Sequence, residues 1–167
     1  MRRMKTLLLL RHAKSSHKDS DVDDHERSLN KRGKKDAPKM GRLLKDQDLL
    51  PELLIASTAK RCRKTAEHVI AASGYRGHTR FCGELYEAHA STLLDFLAGF
   101  ENTANRVLLI GHNPGLEELL ESLTGVYTPL STGALAQVEI DVGDWSNIGK
   151  EPKATLAKIW QPGELED

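Results

Sequence analysis

Two histidines occupy the same kind of place in this sequence. His12 follows the apolar run Leu7-Leu8-Leu9-Leu10 and the cation Arg11, and His112 follows Val107-Leu108-Leu109-Ile110 and Gly111. Short continuous apolar runs are what parallel strands buried on both faces require. Each imidazole therefore stands just past the C-terminal end of a strand, the edge at which open α/β sheets bind ligands. Two such strands side by side would bring the rings face to face across a cleft. Alone, a histidine in that place reads as a satisfied strand cap; the pairing, with Arg11 adjoining His12, favours a reactive imidazole. Arg61 also lies just past an apolar run, but Lys60, Arg63 and Lys64 surround it. From charge pattern alone, that cluster reads as a solvated helix face.

The elements that must position these residues alternate between strand and helix. Strands are predicted over Thr6 to Leu10, Leu53 to Ala56, Thr79 to Cys82 and Val107 to Ile110, with two later ones over Ala134 to Ile140 and Ala154 to Trp160. Helices are predicted over 31–47, 58–72 and 90–100. A fourth begins at Pro114, where Leu116, Leu119, Leu120 and Leu123 follow the spacing of one helix face. Pro38 falls inside the first helix and is expected to delay or kink its first turns. Gly74 suits the end of the second. Residues 13–30 are polar and read as an exposed loop long enough to carry function. Gly143 to Pro152 reads as a turn-rich connection between the last two strands. The pattern predicts one three-layer α/β/α domain, residues 1–167, around a mainly parallel central sheet.

Composition narrows the partners. The 167 residues carry 24 Lys+Arg and 24 Asp+Glu, so no overall basic field draws nucleic acid or anionic lipid, and anion binding must be local. The cluster Lys31-Arg32-Lys34-Lys35 alone is slight support for a nucleic-acid partner. No apolar stretch has the length of a membrane span. The start, Met1 to Leu10, imitates a signal peptide but runs into Arg11-His12 without a cleavage site. Cys62 and Cys82 stand in unrelated contexts, without a disulfide framework, which predicts a reducing, cytoplasmic setting. Composition leaves the oligomeric state open.

The ordered set Leu10-Arg11-His12-Ala13-Lys14, Ser57 with Arg61 and Thr65, Glu84-Leu85-Tyr86, Gly111-His112-Asn113-Pro114 and Ser131-Thr132-Gly133-Ala134 resembles the histidine phosphatase, or phosphoglycerate mutase-like, superfamily. It is most similar to the small SixA-type phosphohistidine phosphatases. Ala13 and Lys14 depart from the mutase branch and favour that assignment. The resemblance implies a phosphoglycerate mutase-like fold and a phosphatase in which His12 is the nucleophile that becomes phosphorylated. It makes Arg11, Arg61 and His112 the positive pocket around the phosphoryl group, and Glu84, with Glu87 as fallback, the acid that protonates a leaving oxygen.

The chemistry fits those roles. A phosphoryl group in transfer spreads charge over three equatorial oxygens, which guanidinium forks match. A neutral imidazole is a good nitrogen nucleophile near neutral pH, and a phosphohistidine intermediate divides hydrolysis into two steps. Protonated, His112 would add a third positive donor. Asn113, Thr132, Ser15 and Lys14 are further candidates for contact with substrate. No metal or other cofactor is needed, and no cluster has metal-ligand spacing. The expected partner is a phosphorylated protein, through its phosphohistidine, or a small phosphate ester; the alternative outside enzymes is a module that binds a phospho-ligand without turnover. His17 and His25, among acids and lysines, read as solvated, and His68 and His78 as surface residues; His89 is at most a weak contact.

Overall fold

In the computed structural model, residues 4–17, 21–100, 104–150 and 154–166 are described. Residues 1–3 of the signal-like start, 18–20 of the polar loop and 151–152 of the last connection lie outside them. Strands form at Lys5–Arg11 (β1), Leu53–Ser57 (β2), His78–Cys82 (β3), Arg106–Gly111 (β4), Leu135–Ile140 (β5) and Ala154–Trp160 (β6). Helices form at Lys31–Asp46 (α1), Lys60–Ser73 (α2), Ala90–Ala98 (α3) and Gly115–Thr124 (α4). The strands make one six-stranded sheet in the order β3-β2-β4-β1-β5-β6. The first four are mutually parallel, and β5 and β6 add antiparallel pairs beyond β1.

The period-two alternation of a strand explains the layers. Leu7 and Leu9 of β1, with Val107 and Leu109 of β4, pack with Leu93 and Leu97 of α3 and Leu116 to Leu123 of α4. Leu8, Leu10, Leu108 and Ile110 face the other way, onto Met40, Leu43 and Leu44 of α1 and Cys62, Ala66 and Val69 of α2. All eight of these strand side chains have no solvent exposure. Burying one such side chain is worth about 2 kcal/mol, so the sheet centre is a rigid base for whatever its edge carries.

Three local signals behave differently from expectation. Pro38 does not delay α1, which starts at Lys31 with the Asn30 side chain accepting from the Gly33 amide at 2.9 Å. The second helix starts two residues late, at Lys60, because Ser57 Oγ accepts the Ala59 amide at 3.2 Å and holds a turn open there. The polar loop is not simply exposed. Ala13 and Ser15 are buried, Ser15 bridges to Leu29, and residues 24–26 form a short 3-10 turn.

Candidate active site

β1 and β4 are adjacent and parallel, with Arg11 paired to Gly111. His12 and His112 are each the next residue, and their ring centroids lie 5.4 Å apart. Both are 7% exposed. They line an open cleft of about 360 Å³ together with Arg11, Arg61, Asn113 and Thr132. Lys14, Ser15, Asp24, Arg27, His17 and Glu87 complete the lining.

The hydrogen bonds decide which ring nitrogen carries the proton. His12 Nδ1 lies 2.8 Å from the carbonyl of Ala13. A carbonyl only accepts, so Nδ1 donates and Nε2 keeps the lone pair. Ala13 is held in turn through its other peptide unit: its amide donates to Thr65 Oγ1 at 3.0 Å, and Thr65 Oγ1 donates to the Arg61 carbonyl at 2.7 Å. Burial, with His112, Arg61 and Arg11 adding to it, pushes the His12 pKa down to about 3. Its ring is neutral across the physiological range.

His112 is neutral for a related reason but in the other tautomer. Arg61 Nη2 donates to its Nδ1 at 3.3 Å, so Nε2 carries the hydrogen and donates to Ser57 Oγ at 2.8 Å. Burial first, and Arg61 second, push its pKa down to about 4. In the free protein the expected third positive donor is therefore uncharged.

Arg61 corrects the reading from charge pattern. It is 4% exposed, while its neighbours Arg63 and Lys64 are partly exposed and point to Glu26 and Glu67. Its guanidinium donates through Nη1 to the Asp24 carbonyl at 2.7 Å and through Nη2 to the Asp24 carboxylate at 3.1 Å. Arg11 Nη1 donates to the Leu130 carbonyl at 3.0 Å, and Asn113 Nδ2 donates to the same oxygen at 2.8 Å. The Nε atoms of both arginines are buried without a protein acceptor. Two permanently charged, planar guanidiniums lining one cleft suit an anion.

Asp24 and Arg27 line the cleft although local pattern did not single them out, and Tyr86, from the ordered set Glu84-Leu85-Tyr86, reaches Asp24. Tyr86 donates its hydroxyl to the Asp24 carboxylate, and Arg27 Nε donates to it at 3.0 Å. The Tyr86 bond leads the causes that hold the Asp24 carboxyl well below the usual carboxylate range, with Arg61 contributing. Burial and Asp24 push the Tyr86 hydroxyl up to about 12. His25, expected to be solvated, hydrogen-bonds Thr58 Oγ1 at 2.9 Å and stacks on Tyr86 with centroids 4.8 Å apart. The length of the polar loop is the signal that points to Asp24, His25 and Arg27, and the ordered set already holds Tyr86. Arg27 Nη1 also donates to Ser15 Oγ at 3.0 Å and to His17 Nδ1 at 2.9 Å, so Ser15 and His17 belong to the same wall.

The carboxylates divide differently from expectation. Glu84 is exposed and does not line the cleft, whereas Glu87 does, held in the left-handed backbone region at φ 51°. A non-glycine residue there costs of order 1 kcal/mol and is a feature of functional sites. His89 is exposed against Glu118 and outside the cleft, and His68 is half-buried. Among the described residues, no three His, Cys, Asp or Glu side chains gather as they would around a metal ion. No helix among them is long and apolar enough to cross a membrane.

The sheet and its paired histidines define an α/β protein of the phosphoglycerate mutase-like class. Residues 7–93 match the histidine phosphatase superfamily, branch 1. An uncharacterized chloroplastic protein of Arabidopsis thaliana is 30% identical over 148 residues, 83% of this chain and 68% of its own length. The SixA structure from Agrobacterium tumefaciens is 28% identical with a TM-score of 0.80, over 95% of this chain and 98% of that one. SixA from Nakamurella multipartitia is 26% identical with a TM-score of 0.82, over 95% and 96%. The chain belongs to the histidine phosphatase superfamily and is of the SixA type. It is a phosphatase.

Proposed function

We propose that this phosphatase works through a phosphohistidine at His12 and that its substrate is phosphohistidine on a protein. The observation that carries the mechanism is the tautomer of His12: a buried, neutral ring donates at Nδ1 to the Ala13 carbonyl and keeps its Nε2 lone pair. That lone pair attacks phosphorus while the bond to the leaving nitrogen or oxygen breaks and its electron pair departs with the leaving group. Arg11 and Arg61 take the equatorial oxygens, with Asn113, Thr132, Ser15 and Lys14 around them. A bound dianion raises the proton affinity of His112, which then becomes the third positive group. Water next attacks phospho-His12, the P–N bond breaks, and orthophosphate and neutral His12 are released with the water proton passing to solvent or phosphate.

A leaving imidazole nitrogen takes its proton from water more readily than an alkoxide does, so a phosphoramidate needs little help from an acid. For an ester, Glu87 is the carboxylate whose place in the cleft supports that role, and Glu84 is displaced from it. The open cleft supports a phosphorylated side chain on a macromolecule. The two thiols, Cys62 and Cys82, are unpaired, which supports a reducing, cytoplasmic compartment.

The test is hydrolysis of an aryl phosphate in EDTA by the wild type and by His12→Ala, followed by acid quench. The wild type should turn over and yield an acid-labile, base-stable phosphoenzyme that the variant lacks. Undiminished activity in His12→Ala, or phosphate on serine or cysteine, overturns the mechanism. Rates on phosphohistidine peptides and small esters, with Glu84→Gln and Glu87→Gln, then separate the substrates: Glu87→Gln should slow only the ester.

A further inference from the structure

Arg11 and Arg61 are held in the cleft in different ways. Arg61 is braced twice by Asp24, through its carbonyl and through its carboxylate. The Arg11 guanidinium finds one protein acceptor among the described residues: Nη1 donates to the Leu130 carbonyl at 3.0 Å, while Nε has none. The same oxygen accepts from Asn113 Nδ2 at 2.8 Å. One backbone carbonyl thus sets two cleft residues, and whatever fixes Leu130 bears on both.

Leu130 lies in the segment between α4 and β5, and little of that segment is packed before it. None of residues 125–129 is buried, and Val126 and Tyr127 are 63% and 60% exposed. Leu130 itself is 2% exposed, with its side chain in the core cluster that holds Leu116 and Leu119 of α4. A buried side chain fixes where the residue sits, but its peptide groups still need partners, and those partners set their direction. The Leu130 amide finds its partner in Glu117, donating to Oε2 at 2.7 Å.

The sequence explains why that carboxylate is available. Glu117 is the third residue of α4, the position from which a glutamate reaches back to the amide of the residue capping the helix. Here the cap is Pro114, which has no N–H. The amide of Leu130, 13 residues later, takes the carboxylate instead. A hydrogen bond to a charged acceptor is among the stronger ones, and the start of a helix favours a carboxylate there. Burial lowers the Arg11 pKa, and the charge of Glu117 opposes that fall, so the carboxylate acts on the guanidinium through space as well.

We propose that Glu117 is a positioning residue for phosphoryl transfer, setting the Arg11 guanidinium and the Asn113 amide through the backbone of Leu130. This rests on the reading of Arg11 as a contact of the phosphoryl oxygens. Two variants divide charge from reach. Glu117→Asp keeps the charge and draws the oxygens back by one methylene, which opens the bond to the Leu130 amide. Aspartate is favoured in a first helical turn, so this variant should fold. Glu117→Gln keeps the reach and an acceptor oxygen and removes the charge. Misplacing a group that clamps the substrate by about 1 Å can cost about a hundredfold in rate, so the partial loosening in Glu117→Asp should lower kcat on an aryl phosphate about tenfold, with KM changing by less than about threefold. Glu117→Gln should recover most of that loss. Followed by NMR, the Arg11 Nε–H should exchange with solvent faster in Glu117→Asp, while the Arg61 Nε–H keeps its wild-type rate.

A wild-type kcat in Glu117→Asp overturns the tether. So does exchange that quickens equally at Arg11 and Arg61, which would mark a general loosening of the sheet edge. Equal losses of kcat in the two variants overturn it as well, because charge and not the bond to Leu130 would then carry the effect. Acid quench keeps this separate from the reading of His12. A wild type that forms no phosphohistidine at residue 12 overturns that nucleophile, while exchange at Arg11 still decides the tether.

Discussion

Acidifying the ligand-free protein from pH 8 to pH 5 tests the claim that both cleft histidines are held neutral. Burial keeps His12 near 3 and His112 near 4 in the folded chain, whereas in the unfolded chain both return to about 6.5. The folded values lie below the unfolded ones, so the unfolded state binds more protons as pH falls. Each group's contribution is complete above about pH 6.5 and drains between there and its folded value. At pH 5 an unfolded imidazole is about 97% protonated, while folded His12 is about 1% and folded His112 about 10% protonated, which costs about 2 kcal/mol of stability for each. The assay is urea unfolding at pH 8, 7, 6 and 5 in phosphate-free buffer, followed through the buried Trp145, for the wild type and His12→Asn. Asparagine keeps a donor for the Ala13 carbonyl and removes the titration. The stability difference between the two proteins should therefore shift by about 2 kcal/mol between pH 8 and pH 5, to the variant's advantage. Parallel loss in both proteins would refute the argument, because it would mean that His12 is charged as readily when folded as when unfolded. The same low pKa predicts that phosphoenzyme still forms at pH 5, where an ordinary imidazole is almost fully protonated.

Thr65→Val removes the hydroxyl that accepts from Ala13 and donates to Arg61; it should cost about 1–3 kcal/mol in urea unfolding and lower kcat more than it raises KM. A kcat equal to that of the wild type would separate this support of Ala13 from catalysis. Asp24→Asn removes the anion that Arg61 holds at 3.1 Å, so orthophosphate should inhibit about three- to tenfold more tightly. Weaker inhibition would show that Asp24 serves to hold Arg61 in place. Gly33→Ala sets two rules against each other. Helix propensity alone favours alanine by up to about 1 kcal/mol, but its Cβ would meet the Lys14 carbonyl at 2.1 Å. Overpacking should win, at a cost of about 1–3 kcal/mol, and a stabilised variant would contradict the contact.

Much of this fold is legible because its signals are local. Runs such as Leu7 to Leu10 and Val107 to Ile110 read as buried strands wherever they pair, and the leucine spacing after Pro114 reads as a helix face. The placement of His12 and His112 at one sheet edge follows from those runs. What local pattern misses is set by residues far apart in sequence. Arg61 sits among cations that suggest solvent, yet its partner is Asp24, 37 residues earlier. Tyr86 reaches the same carboxylate from 62 residues away. Nothing in the polar loop distinguishes Asp24 from Asp21 or Asp23. Choosing between Glu84 and Glu87 likewise depends on the tight turn after β3, where φ at Glu87 turns positive and brings that residue to the cleft.

The register between β1 and β4 shows why the ends of the strands matter more than their middles. In a strand apolar on both faces the hydrophobic pattern itself does not mark the register, since either set of side chains is apolar. Leu7 to Leu10 and Val107 to Ile110 are of that kind, so their apolar pattern alone does not say which residues pair. The polar ends supply what the middle lacks. At one end the Thr6 amide donates to the Asn105 carbonyl at 2.8 Å, and Lys5 Nζ donates to Asn105 Oδ1 at 2.8 Å. At the other the His12 amide donates to the Gly111 carbonyl at 3.0 Å, and Gly133 clamps the carbonyls of Arg11 and His12. A slip by one residue would break contacts at both ends and turn one imidazole to the opposite side of the sheet. The geometry of the cleft is thus fixed in part by Lys5 and Asn105, at the far end of the strands from the histidines.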